Sequence, residues 1–161
     1  MNADAFRHFY EYHFSENREL WDRYVMPLSD EQLKQEVHYS RGSIRNQIVH
    51  LMSVDDTWFS GLRRVAIPEM LNPADFEERS SIRAYWDAVE GRMRDYLANL
   101  RDEMLFAKPL EDEDKDLIVW QVLLHVVNHG TDHRAQMLRL LNDMGVSTGP
   151  QDYIFYVYDH P

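Results

Sequence analysis

The spacing of apolar residues along this chain is the feature that most restricts its fold. In four long stretches the apolar side chains recur three and four residues apart, which is the period of an α-helix. Only 6 Gly and 6 Pro occur among 161 residues, so few residues interrupt that pattern. The sequence therefore predicts an all-α fold, a four-helix bundle that forms a single domain over residues 1–161. The predicted helices span about residues 4–26, 44–64, 80–104 and 115–144.

Residues that start or stop helices fall at the ends of these stretches. Pro27 closes the first stretch, Ser43 is a suitable N-cap for the second, and Gly145 is a good residue to follow the fourth. The aromatic tail, residues 150–161, would expose a large apolar surface if it were free in water. We therefore expect the tail to pack on the bundle.

Composition excludes several classes of site and partner. The chain has no Cys, which excludes disulfides, thiolate zinc sites, iron–sulfur clusters and a thiol nucleophile of its own. Its 17 basic and 28 acidic residues give a net charge of −11, which disfavours binding to nucleic acid. Charges interrupt every apolar run and the N-terminus lacks the pattern of a signal peptide. We expect a cytoplasmic protein without a membrane partner.

Three histidines at four-residue intervals mark the fourth stretch: His125, His129 and His133. Two residues four apart lie on one face of a helix, so a His-x3-His pair can bind one metal ion. Three such residues splay over about 80°, which makes a third ligand from another helix a better choice than His125. His50 lies in the apolar part of the second stretch, where a solvated imidazole is hard to place. The candidate metal ligands are His50, His129 and His133.

Plainer interpretations exist for all of the histidines. A lone interior imidazole such as His50 can be a structural core residue, and a pair of histidines four apart can arise by chance. His125 suits a core position or a hydrogen bond to a metal ligand. His8 and His13 are predicted to face solvent. The loop residue His38 and the near-terminal His160 are given no role.

The carboxylates near these histidines do not complete a familiar catalytic motif. The segment from His129 to His133 lacks the Glu that serves as general base in His-Glu-x-x-His proteases. Asp132 is predicted to lie on the surface, with a hydrogen bond to an imidazole as the alternative, and Asp55 and Asp56 are predicted to form a solvated face. No Glu-x-x-His occurs, which disfavours a carboxylate-bridged di-metal site. Ligation by imidazoles alone suits zinc, nickel, iron(II) or copper.

Five segments carry a resemblance to a known family: residues 17–20, 28–33, 42–51, 123–136 and 151–156. Together they are similar to the DinB-like, or YfiT-like, superfamily of metal-dependent four-helix-bundle proteins. The resemblance covers nearly the whole chain, and its most specific part is the block around the fourth-helix histidines. In that family one His of the second helix and the His-x3-His pair of the fourth hold the metal, which implies His50, His129 and His133 here. The family also implies a homodimer.

Characterised relatives include transferases that add bacillithiol or mycothiol to an electrophile, and a thiol-dependent isomerase. The resemblance therefore implies an enzyme that uses zinc or nickel and a low-molecular-weight thiol to modify a small-molecule substrate. The sequence identifies no catalytic acid or base. One alternative is a bundle that binds a metal or small molecule without turnover, and others are a metal-dependent hydrolase and a metal-free interaction module.

Overall fold

The structure, a computed structural model, describes residues 1–160 and is built from helices, which confirms the predicted all-α class. Within these residues no helix is long and apolar enough to cross a membrane. The first long helix continues beyond its α-helical part as a π-helical segment, Leu20–Val25. The α-helices are α1 (Ala3–Glu19), α2 (Asp30–Lys34), α3 (Ile44–Leu62), α4 (Arg79–Ala98), α5 (Val119–Asp143) and α6 (Tyr153–Asp159).

The four long helices α1, α3, α4 and α5 form the bundle. Helix α3 packs against α4 and α5, and α1 packs against the same two helices. The short helix α2 lies on α3. This arrangement makes α3 and α5 direct neighbours, so their inward side chains face each other.

Local capping explains where α2 and α3 begin. The Ser43 hydroxyl accepts a hydrogen bond from the Asn46 backbone N–H at 3.2 Å, as expected for the predicted N-cap. At the start of α2, Ser29 and Gln32 each accept a hydrogen bond from the other's backbone N–H. These contacts satisfy N–H groups that the first turn of a helix leaves without intrahelical partners.

Two helix ends differ from the sequence prediction. Helix α4 ends at Ala98 instead of residue 104, because the Asn99 side-chain amide donates to the Asp95 carbonyl and the chain then turns. Residues Asp102–Phe106 form a separate 3-10 helix. Helix α5 begins at Val119 and not at residue 115, because the backbone of the N-cap residue Ile118 is extended, with φ −102° and ψ 156°.

The core consists of two apolar clusters separated by polar residues. His13 and Asn17 of α1, Asp55 of α3 and Arg134 of α5 are all buried at the change from one cluster to the other. We call these four residues the buried polar layer. Representative apolar neighbours are Leu20, Ile48, Trp86 and Met137 in the first cluster and Tyr10, Phe59, Val89 and Val126 in the second.

The C-terminal segment returns to the bundle through α6. Tyr153 contacts the ring of Phe9 edge-on, with ring centroids 5.2 Å apart. The opposite side of α6 leaves Ile154, Phe155 and Tyr158 exposed. The last residue of the predicted tail, Pro161, lies outside the described residues.

Gly130 of α5 lies against the His13 ring of the buried polar layer, so its substitution tests how tightly the layer is packed. A methyl group at Gly130 would approach His13 Nδ1 to 2.7 Å, whereas one at Gly91 of α4 would meet no atom within 4 Å. Helical Gly→Ala substitutions otherwise stabilise by about 0.5–1 kcal/mol. We expect Gly91→Ala to raise the free energy of unfolding by about that amount and Gly130→Ala to lower it by about 1–3 kcal/mol. Urea denaturation of the two variants measures both values, and equal gains would contradict the close packing of His13.

Candidate metal centre

The three predicted ligands come together where α3 faces α5. The ring centroids of His50 and His129 are 5.2 Å apart, those of His50 and His133 are 4.7 Å apart, and those of His129 and His133 are 4.3 Å apart. One nitrogen from each ring lies within 4.8 Å of the nitrogens offered by the other two. His129 and His133 lie one turn apart on α5, and His50 reaches them from α3.

Hydrogen bonds leave ring nitrogens of this group without protons. The Gln47 side-chain carbonyl accepts a 2.7 Å hydrogen bond from His133 Nδ1, so the neutral ring of His133 has an unprotonated Nε2. Arg41 Nη2 lies 3.1 Å from His50 Nε2, and a guanidinium can only donate, so this nitrogen is also unprotonated. His129 Nε2 lies 3.3 Å from His50 Nε2. The Nε2 atoms of His50 and His133 are therefore unprotonated, which is the form that a metal ion needs in its nitrogen ligands.

The nitrogen spacing suits a tetrahedral ion. Zinc–nitrogen bonds of about 2.0–2.1 Å place two ligand nitrogens about 3.3–3.4 Å apart in a tetrahedral site. The 3.3 Å between the Nε2 atoms of His50 and His129 agrees with that spacing. His50 and His129 are also partly exposed, which leaves one side of the group open to solvent. The group could hold a metal ion by three imidazoles and keep one coordination position accessible.

Burial keeps these histidines neutral. Loss of hydration lowers the pKa of His50 to about 4, and the nearby Arg41 charge acts in the same direction. Loss of hydration also lowers the pKa of His129 to about 4 and lowers the pKa of His133. At neutral pH the three rings therefore have lone pairs available for an ion without first losing protons.

Arg41 and Gln47 are residues of this site that the sequence reasoning missed. Gln47 lies three residues before His50 and so shares its helical face, a spacing that could have identified it. Arg41 belongs to the loop before α3, which is fixed over the site by the Ser40–Gln136 hydrogen bond and by Asn46 donating to the Arg41 carbonyl at 3.1 Å. No helical period could have placed a loop residue.

Five of the other residues considered in the sequence lie on the surface of the protein. His8 is exposed as predicted, and Asp132 is exposed and accepts a hydrogen bond from the Gln136 side chain. His125 is also exposed, with its ring against Trp58, so the prediction of a core or hydrogen-bonded position for it is wrong. The residues that were given no role, His38 and His160, lie on the exposed surface.

Three residues that were predicted to face solvent, His13, Asp55 and Asp56, are buried because they have partners on other helices. His13 is 0% exposed, and its Nδ1 lies 3.2 Å from Arg134 Nη1. Asp55 is 1% exposed, and its Oδ2 lies 3.7 Å from His13 Nε2. Asp56 is 6% exposed and accepts a hydrogen bond from the Tyr85 hydroxyl at 2.9 Å.

A cavity of about 820 Å³ lies near the C-terminal end of α3. Trp58, Gly61 and Leu110 are among the residues that line it, and none of the three grouped histidines does. Trp58 lies eight residues after His50, or about 12 Å along the helix. The cavity is therefore separate from the candidate metal centre.

Comparison with known proteins places this arrangement in a family. The model of the DinB family matches residues 1–160. The chain belongs to the DinB family. It is also similar to Protein DinB of Bacillus subtilis (strain 168), with 28% identity over 169 residues that cover 98% of this chain and 96% of that protein. The DinB-like family is associated with metals, and the three-His group is compatible with that association.

Metal binding by this DinB-family chain can be tested one histidine at a time. We expect His129→Ala and His50→Ala each to weaken zinc binding by more than about a hundredfold, since a lost ligand costs more than the 10–100-fold of a lost outer hydrogen bond. His125→Ala is the matched control, because His125 lies on the same helix but outside the group. Competition with a colorimetric chelator on untagged protein measures the affinities. Equal zinc affinity in all three variants and the wild type would exclude the three-His site.

The lowered pKa values predict how stability depends on pH without metal. Unfolded histidines have a pKa near 6.5, so below that pH the unfolded chain binds protons that folded His50 and His129, with pKa values of about 4, do not bind. The free energy of unfolding should therefore fall as the pH is lowered from 7 to 5. Urea denaturation of chelator-treated protein measures the slope, and a His50→Gln/His129→Gln double variant should have a smaller one. A slope of opposite sign would show that these rings are not held neutral.

Proposed function

We propose that this DinB-family protein is a metal-dependent enzyme that transfers a low-molecular-weight thiol to an electrophile. The observation that carries the proposal is the convergence of His50, His129 and His133 with one side open to solvent. Three imidazoles and an open position form a donor set typical of catalytic rather than structural zinc sites. We propose zinc or nickel as the ion, since imidazole nitrogen suits both.

The residues around the open side support chemistry on an anion. A bound divalent ion supplies Lewis acidity, which lets a thiol with an ordinary pKa near 8.5 react as a thiolate at neutral pH. The Arg41 guanidinium, beside His50 Nε2, adds positive charge at the same place and favours a negatively charged reactant. Gln47 holds the His133 ring in one orientation through its 2.7 Å hydrogen bond.

The absence of Cys from the sequence agrees with a sulfur that arrives on a small molecule. In the transfer, the thiol gives its proton to solvent, a sulfur–carbon bond forms, and the leaving group departs from carbon with its bonding electrons. A halide leaving group needs no proton from the protein. This agrees with the proposed site, because its histidines are neutral and would coordinate the metal ion instead of acting as general acids.

A small-molecule substrate, a homodimer, a cytoplasmic location, and no nucleic-acid or membrane partner belong to the same proposal. The net charge of −11 supports the exclusion of nucleic acid. Three exposed apolar side chains of α6 offer a surface on which a second copy can pack: Ile154, Phe155 and Tyr158.

Thiol transfer can be tested with a fluorogenic electrophile. We expect zinc- or nickel-loaded protein to accelerate the conjugation of bacillithiol or mycothiol to a chlorinated bimane, and His129→Ala to reduce the rate to the uncatalysed value. Arg41→Ala should lower kcat/KM by about tenfold, the effect of losing one hydrogen bond to a charged group. His125→Ala should behave like the wild type.

Two results would favour a function other than thiol transfer. If loaded protein produces no conjugate above the uncatalysed rate with either thiol, the transferase proposal is wrong. Metal binding that persists in that case would favour a binding protein without turnover, and release of product from ester or amide substrates would favour a hydrolase.

A further inference from the structure

Two buried polar atoms near the candidate metal centre lack a hydrogen-bond partner. They are Oδ1 of Asp55 and Nδ1 of His129. A buried polar group without a partner costs about 1–3 kcal/mol, and a charged group costs more. One of these atoms belongs to an acceptor, and the other is the ring nitrogen opposite the one that faces His50.

The pairing of α3 with α5 brings these two residues to the same level of the bundle. Gln47 contacts His133, His50 contacts His129, and Trp58 contacts His125, so the two helices run antiparallel. Position 55 lies between 50 and 58 and therefore faces the part of α5 between residues 125 and 129. Asp55 is 1% exposed, so its carboxylate points into the bundle.

The position of His13 also indicates that Asp55 lies close to His129. His13 Nε2 lies 3.7 Å from Asp55 Oδ2, and its ring lies against the backbone of Gly130, the residue after His129. Asp55 and Gly130 thus contact the same imidazole ring.

The partners of His13 leave one oxygen of Asp55 available. Arg134 Nη1 and Asn17 Nδ2 can only donate, and they lie 3.2 Å from Nδ1 and Nε2 of His13, so a neutral ring can accept from only one of them. Asp55 Oδ2 lies 3.7 Å from His13 Nε2. Asp55 Oδ1 is the oxygen without a partner.

We propose that in the metal-loaded protein Asp55 accepts a hydrogen bond from Nδ1–H of His129, a bond absent from this structure, and thereby holds Nε2 of this ring toward the ion. The inference rests on the metal centre of the proposed function. Metal-bound imidazoles commonly donate their other N–H to a carboxylate or a carbonyl oxygen, which fixes the tautomer and makes the ligand more basic. His133 has such an acceptor in Gln47, and Asp55 is the corresponding acceptor for His129. Asp55 is a positioning residue that acts through His129.

Zinc affinity measured by chelator competition tests this role. We expect Asp55→Asn, which removes the charge, to weaken zinc binding about tenfold, and Asp55→Leu, which also removes the acceptor, to weaken it by up to about a hundredfold. Asp56→Asn is the matched control, because Asp56 is buried on the same helix but is bound to Tyr85 and Arg92. It should lower the thermal stability without changing the affinity for zinc. If both Asp55 variants bind zinc within twofold of Asp56→Asn, Asp55 has no positioning role.

A nitrogen NMR measurement on the wild type keeps the inference testable if the Asp55 variants fail to fold. In zinc-loaded protein, His129 should carry its proton on Nδ1 and show a slowly exchanging, strongly deshielded N–H resonance. A proton on Nε2, or a rapidly exchanging Nδ1–H, would overturn the inference. Wild-type protein that binds no zinc would overturn it together with the metal centre. Zinc binding that depends on Asp55, without thiol transfer, would instead support this role and remove only the transferase chemistry.

Discussion

The pairing of α3 with α5 is the constraint on which the rest of this structure depends. It aligns Ile48 and Met52 of α3 with apolar residues of α5 in a core that water cannot enter. Each fully buried side chain of this size contributes about 1.5–3 kcal/mol. The same alignment sets His50 opposite the His129–His133 pair, so the free energy that holds the bundle together also determines the geometry of the candidate metal centre. No separate loop has to order for the three rings to meet.

The buried polar layer carries a cost that an apolar core would avoid. Arg134 is fully buried, and its charge is satisfied by Asn17, His13, Thr131 and Gln151 without a direct carboxylate contact. Such a layer specifies one alignment of the helices, because a shift of one turn would leave a guanidinium and a carboxylate without partners. In this bundle that alignment is also the one that groups the histidines. Stability and site geometry are therefore linked by the same four residues.

Much of the fold and of the candidate metal centre could be predicted from the sequence. The helical period identified the four long helices, and four-residue spacing with an apolar context selected His50, His129 and His133, which the structure groups. The errors at His13, Asp55 and Asp56 had one cause, the assumption that a charged or polar side chain faces water. His13 falls three residues after Tyr10, and Asp55 falls four before Phe59, so both continue an inward face, but their partners on α5 and α1 cannot be recognised in a single segment. Helix ends were missed where a single side chain, such as Asn99, ends the helix.

The charges around the centre suggest which reactant it accepts. The three histidine ligands are neutral and supply no negative charge. The buried carboxylate near them is that of Asp55, and its charge already interacts with the buried Arg134. The charge of a divalent cation bound by these ligands would therefore be only partly neutralised by Asp55. Arg41 adds a further positive charge at the open side of the site. In a partly desolvated site an uncompensated charge of this size is costly, and an anionic ligand at the open position removes most of that cost. A thiolate or a hydroxide meets this requirement better than a neutral thiol or water, so the local charge is compatible with the proposed chemistry although the chain as a whole is acidic.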